Sequence, residues 1–298
     1  MKKYLYSIVF ATLILMSTTV VKASNEVYYT NKENIEMTEN EYNNLLGLGF
    51  TEKQISTMGQ EEFLANKDIE GRVLGEARKY YKTTTYMRNG IKTMVRTEIS
   101  QEEALQAKEL HAQNPSRGPV GNYYNGIFDD SVILNVTRII GVNNTYMRYK
   151  VDNEWYVIPS DRYYDIIGIG IEDNKVQVGS TIVFRQNWTK SDGTDGQDLT
   201  GYVKQMSTGG LGIIKLPNGS LTDLESTLYF NVRKKNGVGT ITTLYAGGDY
   251  AHAISNVNPD NLYNSLSASV ASGIIIGGGY STSYLEHSSA AASFVGTW

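Results

Sequence analysis

From residue 127 to residue 298 the chain is a succession of short apolar or alternating runs, and this pattern constrains its fold more than any other feature. The runs include "SVILNVTRII", "YMRYKV", "WYVI", "YDIIGIGI", "STIVFRQNW", "GIIKL", "TLYFNV", "GTITTLY" and "DYAHAI", with Gly, Asn, Asp or Pro in the gaps. They are short for helices, and several carry the two-residue period of a half-buried strand. Many such strands separated by turn residues predict an antiparallel β-sandwich, jelly-roll-like in arrangement. Tyrosine dominates the aromatics, 22 against seven phenylalanines. It suits strand faces that are partly wet, and it also suits recognition surfaces.

Upstream the period changes. Thr38–Glu41 and Thr51–Gln54 have capping-box spacing, followed by apolar residues at helical intervals (Tyr42, Leu45 and Leu46; Ile55 and Met58). Gly47 and Gly49 close the first helix, and "GQEEFLANK" supplies a third. Residues 79–100 hold two β-prone runs around Asn89-Gly90, a hairpin turn signal. Ser100–Glu103 opens a further helix through about His111, and "QNPSRGPVGNYYNG" (113–126) reads as a linker. The expected class is α+β. A small helical and hairpin part (24–112) precedes a sandwich domain (127–298) that is expected to fold alone from about residue 120.

The first residues have the order of a secretory leader. Lys2 and Lys3 precede an apolar run from about Tyr4 to Met16, and Val21 and Ala23 occupy the small-residue positions before a cleavage site. Cleavage after Ala23 is expected, and with it a secreted, extracellular protein. The later apolar runs are too short to span a membrane as helices, so stable membrane insertion is not expected. The chain has no cysteine, which excludes disulfides, thiol nucleophiles and thiolate metal sites. A net charge of −4 with scattered basic residues argues against a nucleic-acid partner.

"YMRYKVDNEWYVIPSDRYYDIIGIGI" (146–171), together with "YFNV", "GTIT" and "GDYAHAI" further on, resembles a group of uncharacterised secreted proteins of Gram-positive bacteria. "EYNNLLGLGFTEKQI" and "KYYKTTTYMRNG" resemble the leading segments of that group. The resemblance implies export, a helical N-terminal part and a β-sandwich-like C-terminal domain. It carries no catalytic signature.

Candidate site residues come from the few chemistry-bearing groups. In "GDYAHAIS" (248–255) strand alternation puts Tyr250 and His252 on one face and Asp249 on the other, so Asp249 cannot orient His252. His252 reads first as a structural histidine and second as a ligand contact. Trp188 reads as core. If Asp152-Asn153 is a two-residue turn, Trp155 lies on the polar side against Lys150; a one-residue change in loop length moves it to the core side. Trp155, Tyr250 and His252 are therefore the candidate ligand-binding set. Asp192, Asp195 and Asp198 in "SDGTDGQDLTG" could begin a calcium site, although the spacing departs from the D-x-D-x-D-G loop and a solvated loop is the plainer reading.

Other chemistries leave no mark. There is no H-E-x-x-H and no G-x-S-x-G, and "GIIIGGGYSTS" (273–283) lacks the ending of a phosphate loop. Asp129, Asp130, Asp165, Glu172 and Asp173 offer carboxylates, but no spacing selects a pair for glycoside hydrolysis. The expectation is a secreted, non-catalytic binding or surface-interaction protein, with an extracellular glycan or cell-surface component as partner and no cofactor apart from calcium. The alternatives are an extracellular polysaccharide-degrading enzyme and a membrane-active, toxin-like protein.

Overall fold

The computed structural model describes residues 26–88, 91–113, 130–143, 145–172, 174–269, 273–276, 283–284 and 288–298. The expected leader, the Asn89-Gly90 turn, nearly all of the expected linker, Asp129, Asp173, His287 and the Gly-rich residues 277–282 lie outside them.

The described residues open with a small ribbon, β1 (Tyr29–Thr30) and β2 (Glu36–Met37), then α1 (Glu39–Gly47), α2 (Glu52–Ser56) and α3 (Gln60–Asn66). Both expected capping boxes form. Thr38 and Glu41 exchange bonds at the start of α1, and Thr51 and Gln54 do so at α2. Gly49 takes φ +78° just after α1, where the amides of Gly49 and Phe50 bond back to Leu46 and Leu45. A side chain there would be strained, so glycine sets where the helix stops.

A long hairpin follows, β3 (Arg72–Arg88) and β4 (Ile91–Ile99), then α4 (Gln101–Gln113), whose Ser100–Glu103 capping box also forms. The remaining elements are β5 (Asp130–Gly141), β6 (Met147–Trp155), β7 (Tyr164–Ile171), β8 (Val176–Val178), β9 (Val183–Lys190) and β10 (Asp195–Asp198). After them come β11 (Tyr202–Met206), β12 (Gly209–Lys215), β13 (Leu221–Lys234) and β14 (Thr243–Ala251). Last are α5 (Pro259–Ser265), β15 (Leu266–Ser269), β16 (Gly273–Ile276) and β17 (Ser288–Val295).

Among the described residues two antiparallel sheets form a sandwich. The larger has eight strands in the order β10-β9-β13-β6-β5-β3-β4, with β8 also on β13; the smaller runs β11-β12-β7-β14-β17. Their inner faces supply one apolar core that includes Ile133, Tyr149, Val151 and Phe230 from the larger sheet and Ile167, Ile169, Leu244 and Phe294 from the smaller. The sheets approach closely at Gly248, where a β-carbon would lie 2.0 Å from the Thr137 hydroxyl oxygen. Asn135 and Thr137 donate across the gap to the Ser288 and Ala290 carbonyls of β17.

The expected α+β sandwich is present, but strand pairing crosses the expected linker. β3 pairs with β5 from Arg72↔Gly141 to Thr84↔Asp130, so the hairpin belongs to the larger sheet. Asp152-Asn153 is not a turn either. Both residues lie inside β6, opposite Val136 and Asn135 on one side and Thr227 and Ser226 on the other.

Candidate functional site

The three residues singled out as a ligand-binding set do meet. They meet in the core. Continuous strand through Asp152-Asn153 puts Trp155 on the same face as Met147, Tyr149 and Val151, turned inward and only 2% exposed. This corrects the placement against Lys150, which lies on the opposite face. Tyr250 and His252, each 1% exposed, come inward from β14 and the residue after it. The Trp155 ring stands edge-on to both, with centroids 6.0 Å from Tyr250 and 4.9 Å from His252.

The partner of His252 is Asp165, from the neighbouring strand. The register of β14 against β7 ends at Ala251↔Ile166, and one further step sets His252 opposite Asp165. Both Asp165 oxygens lie 3.0 Å from His252 Nδ1. One also accepts from the Ala253 amide at 3.0 Å, and the other accepts from the Tyr250 hydroxyl. That hydroxyl in turn accepts from Trp155 Nε1 at 3.1 Å. Burial and the adjacent Asp165 carboxylate hold the Tyr250 phenol well above its usual range. Arg96 reaches in from β4 to Thr83 and Ser288, and burial draws its guanidinium down to about 10. Asp249 faces away, as alternation requires, and accepts from the Ile274 amide.

A carboxylate on one imidazole nitrogen is the form of an acid–base pair. Here the other nitrogen, Nε2, is itself buried and has no hydrogen-bond partner among the described residues. With Asp165 also 1% exposed, the pair has no face on which to receive a substrate. The arrangement ties β6, β7 and β14 together inside the sandwich. No ring of Trp155, Tyr250 or His252 offers a platform to solvent.

The calcium candidates do not converge. Asp192 and Asp198 each accept from a backbone amide two residues on, at Thr194 and Thr200. Asp195 lies in β10, paired with Lys32 at 2.5 Å and accepting from Thr189 at 2.7 Å. Among the described residues no group of three or more His, Asp or Glu side chains could hold a metal ion. Of the candidate acids, Glu172 pairs with Lys175. Trp188, expected in the core, packs against its edge and is partly buried over Gly196.

A second polar cluster lies on the other face of the larger sheet, beneath the helices. Lys150 and Asp152 are both buried there, with Arg138, Thr227, Glu225 and, from α2, Gln54. Asp152 accepts from Gln54 at 2.7 Å, from Thr227 at 2.7 Å and from Arg138 at 2.5 Å, and it pairs with Lys150. Burial pulls the Lys150 ammonium down to about 8. The same burial pushes Asp152 up, but Lys150 and Arg138 outweigh it and hold its carboxyl below the usual range. Burial also raises Glu225. A cavity of about 190 Å³, lined in part by Arg138, Asp152, Glu154 and Glu225, borders this cluster.

One feature with the dimensions of a ligand site lies elsewhere. A cavity of about 500 Å³ opens between α3 and the corner where β9, β10 and β11 meet. Its apolar walls are Ile182, Val183, Phe184, Val203 and Leu199, the last 60% exposed at the lip. Gln60, Glu61, Glu62 and Gln197 are the polar side chains apart from Tyr229. Glu62 is fixed from below by Arg185 at 2.5 Å and by the Tyr229 hydroxyl at 2.9 Å. Sequence reasoning missed this cavity, because its walls come from strands and a helix that only the fold brings together.

The sequence matches no protein-family model and no curated protein. Among solved structures it is similar to the C-terminal domain of the Streptococcus agalactiae AgI/II polypeptide BspA, at 9% identity and a TM-score of 0.26. That match covers 59% of this chain and 79% of that one. A structure titled BspA_C_WT is similar at 10% identity and a TM-score of 0.27, covering 58% of this chain and 80% of its own.

Proposed function

We propose that this chain is a secreted, non-catalytic binding protein whose ligand enters the cavity between α3 and the β9–β11 corner. The carrying observation is a contrast of accessibility. The Asp165–His252 pair, which has the form of an acid–base pair, is sealed in the core, whereas the cavity is open and mostly apolar. A volume of about 500 Å³ with apolar walls and a few polar groups is the usual make-up of a small-molecule site. Among the described residues no histidine, serine, threonine or lysine lines it. Export rests on the charged start, the apolar run and Val21-x-Ala23. No helix among the described residues is long and apolar enough to cross a membrane. The carbohydrate expectation is not carried forward on Trp155, Tyr250 and His252, because their enclosure leaves no ring face for a sugar.

The test is a fluorescence titration with the neutral apolar reporter N-phenyl-1-naphthylamine, run beside reducing-sugar release from a panel of polysaccharides. Saturable binding that Ala65→Trp abolishes, with no sugar released, supports the reading. Ala65 is an exposed α3 residue on the cavity wall, so this change fills the space without entering the core. Absence of binding overturns the reading. So does sugar release that His252→Gln removes from a folded protein.

A further inference from the structure

The charge around this cavity points to its ligand class. The charged residues lining it, Glu61 and Glu62, are both acidic. Glu62 presents a carboxylate fixed in place. Arg185 and Tyr229 each take one of its oxygens, which leaves further lone pairs, since a carboxylate offers about four acceptor sites. Arg185 is fully buried and does not line the cavity, so it offsets the charge of Glu62 from beneath without presenting a cation to a ligand. Glu61 is exposed at the rim. Deeper in, Ile182, Phe184 and Tyr229 are nearly buried, and they form apolar walls with little polar competition.

Resting on the binding role argued above, we propose that the cavity takes a cationic amphiphile. Its alkyl or aryl body lies against Ile182, Val183, Phe184 and Val203, and its ammonium or guanidinium head donates to Glu62 and sits beside Glu61. An anionic head of the same length would meet two carboxylates and no basic partner. A neutral alcohol would keep the apolar contacts and lose the charge-assisted hydrogen bond.

The experiment is displacement of bound N-phenyl-1-naphthylamine by decylammonium, decanol and decyl sulfate, each below its micelle-forming concentration. Decylammonium is expected to displace the reporter about tenfold more tightly than decanol, equivalent to about 1.4 kcal/mol, with decyl sulfate weakest. Glu61→Gln is expected to shrink the ammonium preference over decyl sulfate severalfold while leaving decanol unchanged. Its side chain is exposed, so the fold is not at stake. Equal displacement by all three compounds, or a preference for decyl sulfate, overturns the cationic assignment while the binding role stands. Failure of the reporter itself to bind overturns both.

Discussion

Replacing Asp165 by alanine removes the acceptor around which the buried cluster is built. In the native protein it accepts from Tyr250 O–H, Ala253 N–H and His252 Nδ1. Neither imidazole nitrogen then has an acceptor for its proton, since Nε2 is buried without a partner among the described residues, so three donors are stranded: the Tyr250 hydroxyl, the Ala253 amide and the imidazole N–H. A buried donor left unpaired costs about 1–3 kcal/mol. The expected loss is therefore about 6 kcal/mol, or roughly 12–24 °C in Tm at about 2–4 °C per kcal/mol. Asp165→Asn keeps an oxygen for Ala253, and its amide can donate to the other imidazole tautomer. The Tyr250 hydroxyl and the imidazole Nε2–H are then stranded, at about 4 kcal/mol. His252→Gln, which keeps a polar partner for Asp165, should fall in the ordinary range of roughly 0.5–3 kcal/mol. Urea unfolding followed by tryptophan fluorescence measures all three, since Trp155 is itself part of the cluster. A loss below about 1 kcal/mol for Asp165→Ala, or equal losses for Asn and Ala, would refute this account of the donors.

Residues 120–298 expressed alone should not reach the native fold, because β5 loses β3 along its length; a native-like circular dichroism spectrum with a cooperative melt would contradict this. Gly248→Ala should destabilise by about 1–3 kcal/mol through overpacking against Thr137 and Val151, whereas Gly239→Ala, with open space around it, should be near neutral in the same melts. Lys150 has a folded-state pKa of about 8 against an ordinary 10.5, so between those values the unfolded chain binds the proton more tightly. Its contribution to stability should rise with pH across that window. Urea melts at pH 8, 9 and 10 should show a less positive slope for Lys150→Met than for the parent; identical slopes would reject it. Millimolar calcium and chelator should give the same melting temperature, because Asp195 is already held by Lys32 and Thr189; a calcium-dependent rise would reinstate the metal reading.

Features set by neighbours in sequence were legible. The capping boxes at Thr38, Thr51 and Ser100 depend on residues three apart, and the two β-prone runs within residues 79–100 do pair, as β3 and β4. Register between distant segments was not legible. Within its own strand the sequence offers His252 only Asp249, while its partner lies 87 residues away in β7. The available signal was parity. Asp165 shares a face with Ile167, Ile169 and Ile171, and an acid on a core face needs buried donors. Lys150, Asp152 and Glu154 alternate with apolar residues and read as a wet face, yet α2 covers part of it, and polarity inside β6 imitated a turn. The helix α5 was also missed, although Asn258-Pro259 is a cap followed by proline at the first helical position.

The place of β13 in the larger sheet sets the order in which the chain can fold. β13 lies between β6 on one side and β9 and β8 on the other, so residues 221–234 join strands that begin at 147 and 183. Until that segment is available, β9 has only β10 beside it and β6 lacks one of its two neighbours. Pairing across such separations raises contact order, and sandwiches of this kind fold on the order of milliseconds to seconds. The larger sheet of a chain built this way is completed only after residues 221–234 have been synthesised. Under the export proposed above, that delay would keep the chain threadable until it has crossed the membrane.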